Sequence, residues 1–356
     1  MQLRHSIIIP TSGRSYCVHS AVRSLLREIG DRRDTQVIVV QSSAVEDARI
    51  SGFCSAHAGV RYLLEPRPGA SAARHAGVGV AESDLLSFID DDVEVAPGWL
   101  DAVQTAFADP ELALLGGPSI PRFTSSVPAW FWDFMSPAAD GGWMCHWLSL
   151  LDLQEDVRDV DPEFIWSLNF SIRRNALESC GGFHPDLVPA PYQRWQGDGE
   201  TGLARKLAAA GRRADYAQRA LVFHACTADR MDAGYFCHRA FFQGVCDSFT
   251  SIRAGNAAQP DSRPDAAWPV VARFKGAVRR LRALQPDTSP ASREARRVRE
   301  LAAASYVQGW QFHQREVAGD AHLLAWVRRP DFIDTDLRVE AAGRSAYDAS
   351  MKELHG

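Results

Sequence analysis

The first hundred residues alternate unbroken apolar runs with stretches whose apolar positions recur at helical spacing. Residues 6–9, 37–40, 61–64 and 85–89 read as short strands. Continuous apolar runs of this kind belong to strands buried on both faces of a parallel sheet. Val18, Val22, Leu25, Leu26 and Ile29 share one face of a helix, and Gly30 ends it. Pro10 and the turn Thr11-Ser12-Gly13 close the first strand. Pro66, Pro68 and Gly69 mark a loop after the third, and residues 71–77 open another helix. The alternation predicts right-handed crossovers and an α/β fold: a Rossmann-like, mostly parallel central sheet flanked by helices.

Beyond residue 118 the pattern changes. Residues 127–153 are loop-like and aromatic, with Trp130, Trp132, Phe134, Trp143 and Trp147. Residues 164–172 read as a strand, 201–210 as a helix, and 220–223 as a strand running into His224. A stretch rich in Pro, Asp and Ala predicts a linker over 256–272, and a C-terminal helical appendage over 273–356 follows it. That appendage opens with a basic stretch from Arg273 to Arg299, then shows helical runs at 306–317 and 323–327. Glu294 and Glu300 interleave with its arginines, as on a solvated helix face. Residues 1–255 form the main domain, in two halves, 1–117 and 118–255.

Composition narrows the function classes. The 356 residues are 46% hydrophobic and 23% charged, ordinary for a globular chain, and a net charge of −5 excludes a nucleic-acid binder. Seven cysteines show no CxxC spacing, so neither a zinc site nor a redox motif is indicated. Their odd number and a start without a secretory leader fit a reducing cytoplasm. No apolar run reaches the length of a membrane span, so membrane contact is expected to be peripheral, at the inner face, or absent.

Asp90-Asp91-Asp92 directly follows the strand at 85–89. Ligands of parallel sheets collect at the carboxyl ends of the strands. Three adjacent carboxylates repel one another, and a hard divalent cation, Mg²⁺ or Mn²⁺, relieves that repulsion. Such a cation takes its remaining ligands from water and phosphate, so the run suggests a metal–diphosphate site. A solvated acidic turn explains the triplet alone equally well.

Further segments fall in register with it: Ile8-Ile9-Pro10-Thr11-Ser12-Gly13-Arg14, residues 68–77, Pro97-Gly98-Trp99-Leu100, residues 166–174 followed by Gly181-Gly182-Phe183, and residues 197–203. Together they resemble an inverting family 2 glycosyltransferase of the GT-A fold over roughly residues 5 to 250. The resemblance implies a nucleotide-sugar-binding half over 1–117 and an acceptor half over 118–255. It implies transfer from a nucleotide-diphosphate sugar, UDP-linked by preference, to a hydroxyl of a glycan, a lipid-linked or a small-molecule acceptor, with Mn²⁺ or Mg²⁺. Asp92 is then the direct metal ligand. Asp90 faces the ribose or a metal-bound water, Asp91 assists or is solvated, and His224 is a further ligand or a structural histidine. Pro10 and Thr11 contact the base, and Arg14, Arg74 and Arg230 are candidates for the diphosphate. Gln41 stands where the family commonly has an acid, and its amide can still bond a base edge.

Inversion needs only one base to take the acceptor's proton. Alignment on Leu203 puts Glu200 there, with Asp198 next, as base or as partner to the acceptor. Trp166, Asn169 and Trp195 are acceptor-side candidates. The tryptophan-rich segment suits sugar stacking, a membrane interface or plain packing. Two other readings compete: a nucleotidyltransferase, which lacks its Gly-rich basic loop here, and a catalytically silent nucleotide- or carbohydrate-binding module.

Overall fold

The computed structural model describes residues 5–138, 141–260, 262 and 290–342. Its main sheet has seven strands. In chain order they are β1 (His5–Thr11), β2 (Thr35–Ser42), β3 (Val60–Glu65), β4 (Leu85–Ile89), β6 (Leu112–Gly116), β11 (Asn169–Arg173) and β12 (Arg213–Tyr216). Across the sheet the order is β12-β6-β11-β4-β1-β2-β3. All neighbouring pairs are parallel except those of β11, which runs antiparallel to both β4 and β6.

Successive side chains on a strand point to opposite faces, so each apolar strand feeds two cores. Ile7 and Ile9 of β1 pack with α1 (Ser15–Ile29), α2 (Ala48–Ser55) and α4 (Trp99–Ala106). Ile8 turns to the other side, with α3 (Ala70–Val80), α5 (Arg174–Ser179) and α6 (Gly199–Ala209). Helix α1 buries Val18, Val22, Leu25 and Ile29 on its inner face, the periodicity expected, and each buried aliphatic of this size stabilises by about 2 kcal/mol.

A second sheet, not foreseen, has the order β5-β13-β7-β10-β9-β8. Its strands are β5 (Val93–Val95), β7 (Ser119–Phe123), β8 (Ser136–Pro137), β9 (Trp143–Cys145), β10 (Leu150–Asp152) and β13 (Val222–Cys226). Most are too short for alternation to register. The strand expected at 164–172 shrinks to β11, because residues 162–164 form a 3-10 turn. Strand β1 continues through Pro10: beyond Ile8 it pairs only with β2, so a residue without an N–H is tolerated there.

Helix α7 (Ala233–Arg253) was also unforeseen, and α8 (Pro290–Ala318) lies along it. A Cβ added to Gly244 of α7 would sit 2.0 Å from the Tyr306 carbonyl oxygen. One added to Gly309 of α8 would sit 1.9 Å from that of Phe241. The two backbones therefore touch, and only glycine fits at the crossing. Val298, Ala302 and Tyr306 of α8 share a core with Phe131, Phe134, Trp147 and Phe236. Most of the tryptophan-rich segment is thus interior packing, with Trp132 remaining 53% exposed. The C-terminal part described here is helical, and α8 and α9 (Ala321–Val327) pack on the main domain. Residues 263–289, with most of the expected linker and the start of the basic stretch, and residues 343–356 lie outside the described residues.

Candidate active site

Strand β4 ends at Ile89, and the three aspartates form the turn into β5, with Val93 N–H bonding back to the Asp90 carbonyl at 3.2 Å. They divide their roles by burial. Asp91, expected to assist or be solvated, is the most enclosed at 1% exposure. It accepts from Thr11 Oγ1 at 2.6 Å and from the Arg14 guanidinium. Loss of water raises its carboxyl to about 6, against the pull of Arg14. Asp91 thus ties the turn to the loop after β1.

Asp92 lies beside it at 8% exposure. Arg14 Nη1 donates to its Oδ2 at 2.8 Å and Arg230 Nη2 donates to the same oxygen. His224 Nε2 is 3.5 Å from its Oδ1. Burial alone would raise the Asp92 carboxyl, but the guanidinium groups of Arg230 and Arg14 hold it well below the usual carboxylate range. His224 sits within β13 rather than after it. Its Nδ1 donates to the Leu148 carbonyl at 2.8 Å, which leaves the Nε2 lone pair facing the cleft. Arg230 Nη1 meets that nitrogen at 2.6 Å.

A guanidinium therefore stands between Asp92 and His224 as a stand-in cation. This donor set, one carboxylate oxygen and one oriented imidazole nitrogen, fits a divalent metal that takes its other ligands from water and phosphate. Among the described residues no three His, Cys, Asp or Glu side chains gather into a protein-only cage.

Asp90 points elsewhere. With its side chain 30% exposed, it faces Arg74, whose Nη2 lies 3.3 Å away and also donates to Ser167 Oγ at 3.0 Å. Arg74 is 1% exposed and lies over the Phe183 ring. Its Nη1 is 3.9 Å from Asp186 Oδ2. Asp186 was not singled out from the sequence; the signal available was only its place after Gly181-Gly182-Phe183.

Glu200 and Asp198, two residues apart, part company. Glu200 is half-buried in the first turn of α6. Loss of water, then the charge of Asp186, push its carboxyl up to about 7, with Arg74 opposing. Asp198 is buried, and both its oxygens are bound, one by His184 Nδ1 at 2.5 Å and one by Thr250 Oγ1 at 2.6 Å. Burial would raise the Asp198 carboxyl, but His184 and Thr250 bring it below the ordinary range. Burial lowers His184 in turn, with Asp198 opposing. Asp198 anchors the loop that presents Glu200 and has no oxygen left for an acceptor.

Five other candidates are engaged or buried within the fold. Gln41 is buried, donates to the Val45 carbonyl, and accepts from Asp47 N–H and the Tyr62 hydroxyl. Its amide shapes the loop after β2 rather than presenting a base-binding edge. Asn169 bonds Trp99 Nε1 and the Pro118 and Ala220 carbonyls. Trp195 is 1% exposed against Trp326. Trp166 is half-buried, its indole N–H on the Glu163 carbonyl. Pro10 is buried within β1.

Residues 6–180 match the family model described as "Glycosyl transferase family 2". The "Pre-mycofactocin glycosyltransferase" of two Mycobacterium tuberculosis strains, CDC 1551 / Oshkosh and ATCC 25618 / H37Rv, is 27% identical over 244 residues. That alignment covers 67% of this chain and 46% of each relative, so the chain spans about half the length of the curated relatives it matches. Among solved structures, the fold is similar to a mannosyltransferase, PcManGT from Pyrobaculum calidifontis in complex with GDP-Man and Mn²⁺, with a TM-score of 0.51 and 17% identity. The similarity covers 92% of this chain and 89% of that one. With this α/β fold, and with an acidic turn at the carboxyl end of β4, the first half of the chain is similar to the family 2 glycosyltransferases, and the fold is of the GT-A kind.

Proposed function

We propose that this protein is a metal-dependent, inverting glycosyltransferase, moving a sugar from a nucleoside-diphosphate donor to an acceptor hydroxyl. The carrying observation is the convergence of Asp92, His224, Arg14 and Arg230 at the rim of the sheet. Asp92 and His224 would hold the cation. When bound, a divalent metal supplies Lewis-acid neutralisation of the charge that grows on a departing diphosphate. The mannosyltransferase of similar fold is in complex with GDP-Man and Mn²⁺, which supports a cation and a nucleoside diphosphate sugar here. Donors to test therefore include UDP-sugars, favoured by the sequence resemblance, and GDP-mannose.

Arg14 and Arg230, already turned toward this rim, are placed to bind phosphate oxygens. Thr11, at the end of β1, would lie nearest the base. Arg74 steadies Asp90 from behind. Glu200 is the proton acceptor: with a carboxyl near 7 it is basic enough to take the proton of an attacking hydroxyl and is still substantially ionised at neutral pH. Attack from the Glu200 side opposite the leaving diphosphate inverts the anomeric carbon in one displacement. Residues 118–255 would form the acceptor half, and the packing of α8 makes the C-terminal helices a structural part of it.

The test is transfer and donor hydrolysis with UDP- and GDP-sugars, with Mn²⁺ or with EDTA, together with NMR of the product anomer. Loss of activity in EDTA, restored by Mn²⁺, and an inverted anomer are expected. Full activity in EDTA, or retention of configuration, would refute the proposal.

A further inference from the structure

Position 199, just before Glu200, is a glycine in the left-handed region, φ +55°. A Cβ built on it would lie 3.0 Å from both Cγ and Oδ2 of Asp186. The Asp186 carboxylate therefore fills the space that a side chain at 199 would occupy, against the backbone that carries Glu200. A second acid stands beside Glu200, brought by a distant loop rather than by the neighbouring residue.

The seat of Asp186 is a built one. Its Oδ1 accepts from Leu187 N–H at 2.8 Å and from Gln196 Nε2 at 2.9 Å, and Leu187 adopts a left-handed φ of +48° that leucine rarely takes. Its Oδ2 accepts no hydrogen bond among the described residues. Facing it at 3.9 Å is Arg74 Nη1, a buried donor that, with Nε, also lacks a hydrogen-bond partner among the described residues. That separation is too long for a direct hydrogen bond. It is the right span for one hydroxyl oxygen to sit about 2.8 Å from each atom, donating to the carboxylate and accepting from the guanidinium. Buried donors left open in a native site call for a ligand that completes them.

We propose that Asp186 and Arg74 form an acceptor subsite: together they hold a hydroxyl adjacent to the one that Glu200 deprotonates, and Asp186 sets the charge beside Glu200. The ligand class is an acceptor bearing vicinal hydroxyls, a sugar or a sugar-like diol. The inference rests on Glu200 being the base. The groups that act on Glu200 are Asp186 from its loop, Arg74 from α3, Asp90 from the β4 turn and Cys246 from α7. Of these charges Asp186 acts most strongly, so removing it lowers the proton affinity of Glu200.

The experiment measures kcat and KM between pH 5 and 9 with UDP-glucose or GDP-mannose and p-nitrophenyl glycosides or their deoxy analogues. Wild type is compared with Asp186→Asn, Gln196→Ala and Glu200→Gln. Asp186→Asn is expected to raise the acceptor KM about tenfold with the donor KM unchanged. It should also move the acid limb of kcat/KM about one pH unit lower. Gln196→Ala keeps the charge, so it should raise the acceptor KM and leave the limb in place. A deoxy acceptor lacking the adjacent hydroxyl should lose affinity with wild type and lose nothing further with Asp186→Asn. A wild-type profile and acceptor KM in Asp186→Asn, with Glu200→Gln inactive, would overturn this inference alone. Equal losses in donor and acceptor KM would also overturn it, as would an unchanged response to the deoxy acceptor. Undiminished transfer by Glu200→Gln would instead remove the assignment of the base, and this inference with it.

Discussion

Glu200→Gln separates the catalytic cost of the proposed base from its energetic cost to the fold. The Glu200 carboxyl is raised from 4.5 to about 7, by loss of water first and by Asp186 second. A group whose folded-state proton affinity is raised stabilises the protein at low pH, and that stability is lost as pH rises from 4.5 through about 7. At about 1.4 kcal/mol per pH unit, the charged form costs at most about 3.5 kcal/mol above pH 7. Glutamine does not titrate and avoids that cost. With an unfolding entropy of about 2.1 cal/mol/K per residue, a chain of this length gains at most about 5 °C in Tm. Melting curves of the two proteins should nearly coincide at pH 4.5 and separate above pH 7, with the variant the more stable. Transfer by the variant should fall by about 10²- to 10⁴-fold, the usual worth of a positioned base. A Tm difference independent of pH, or a wild type more stable at pH 8.5, would refute the placement of a strained carboxylate at residue 200.

Other substitutions probe the rest of the site and its frame. Asp92→Asn should lower kcat/KM by about a hundredfold or more, and should abolish the thermal shift that UDP or GDP gives with Mn²⁺; a retained shift would take Asp92 out of the metal site. Arg230→Ala removes the guanidinium that stands between Asp92 and His224, so the free protein should bind Mn²⁺ more tightly by EPR titration while donor KM rises. An unchanged Mn²⁺ affinity would show that Arg230 does not compete there. Gly309→Ala forces a methyl onto the Phe241 carbonyl and should destabilise by about 2 kcal/mol, read from the urea midpoint at constant m. A neutral result would mean that the two helices stand further apart.

The parts of the fold legible from sequence are those set by local pattern. Leu85–Ile89 is bounded in the structure as its apolar run predicts, because both faces of β4 are buried and every residue must be apolar or small. The acids after it, and Glu200 in register with Leu203, are legible because strand end and helix start are local events. Asn169 and Trp195 were drawn toward the acceptor by their residue types, but their partners lie far off in sequence: Trp99, Pro118 and Ala220 for one, Trp326 for the other. Gln41 is absorbed by the loop it folds. Asp186 was missed for the same non-local reason, since its significance depends on Gly199 and Arg74 arriving beside it. Helix α7 escaped notice because buried residues lie on several of its sides, which blurs the amphipathic stripe.

The glycine-to-glycine crossing of α7 and α8 bears on where a minimal enzyme can be cut. The match to the family model ends at residue 180, yet Thr250 on α7 grips the loop that presents Glu200, and α8 splints α7 from behind. Expressing residues 1–255 alone would bare the groove over Phe236 and Ala240 and loosen the proton acceptor's mooring. The working unit therefore extends well past the borders that the family model draws, and shortened versions should retain the turn of aspartates while losing turnover.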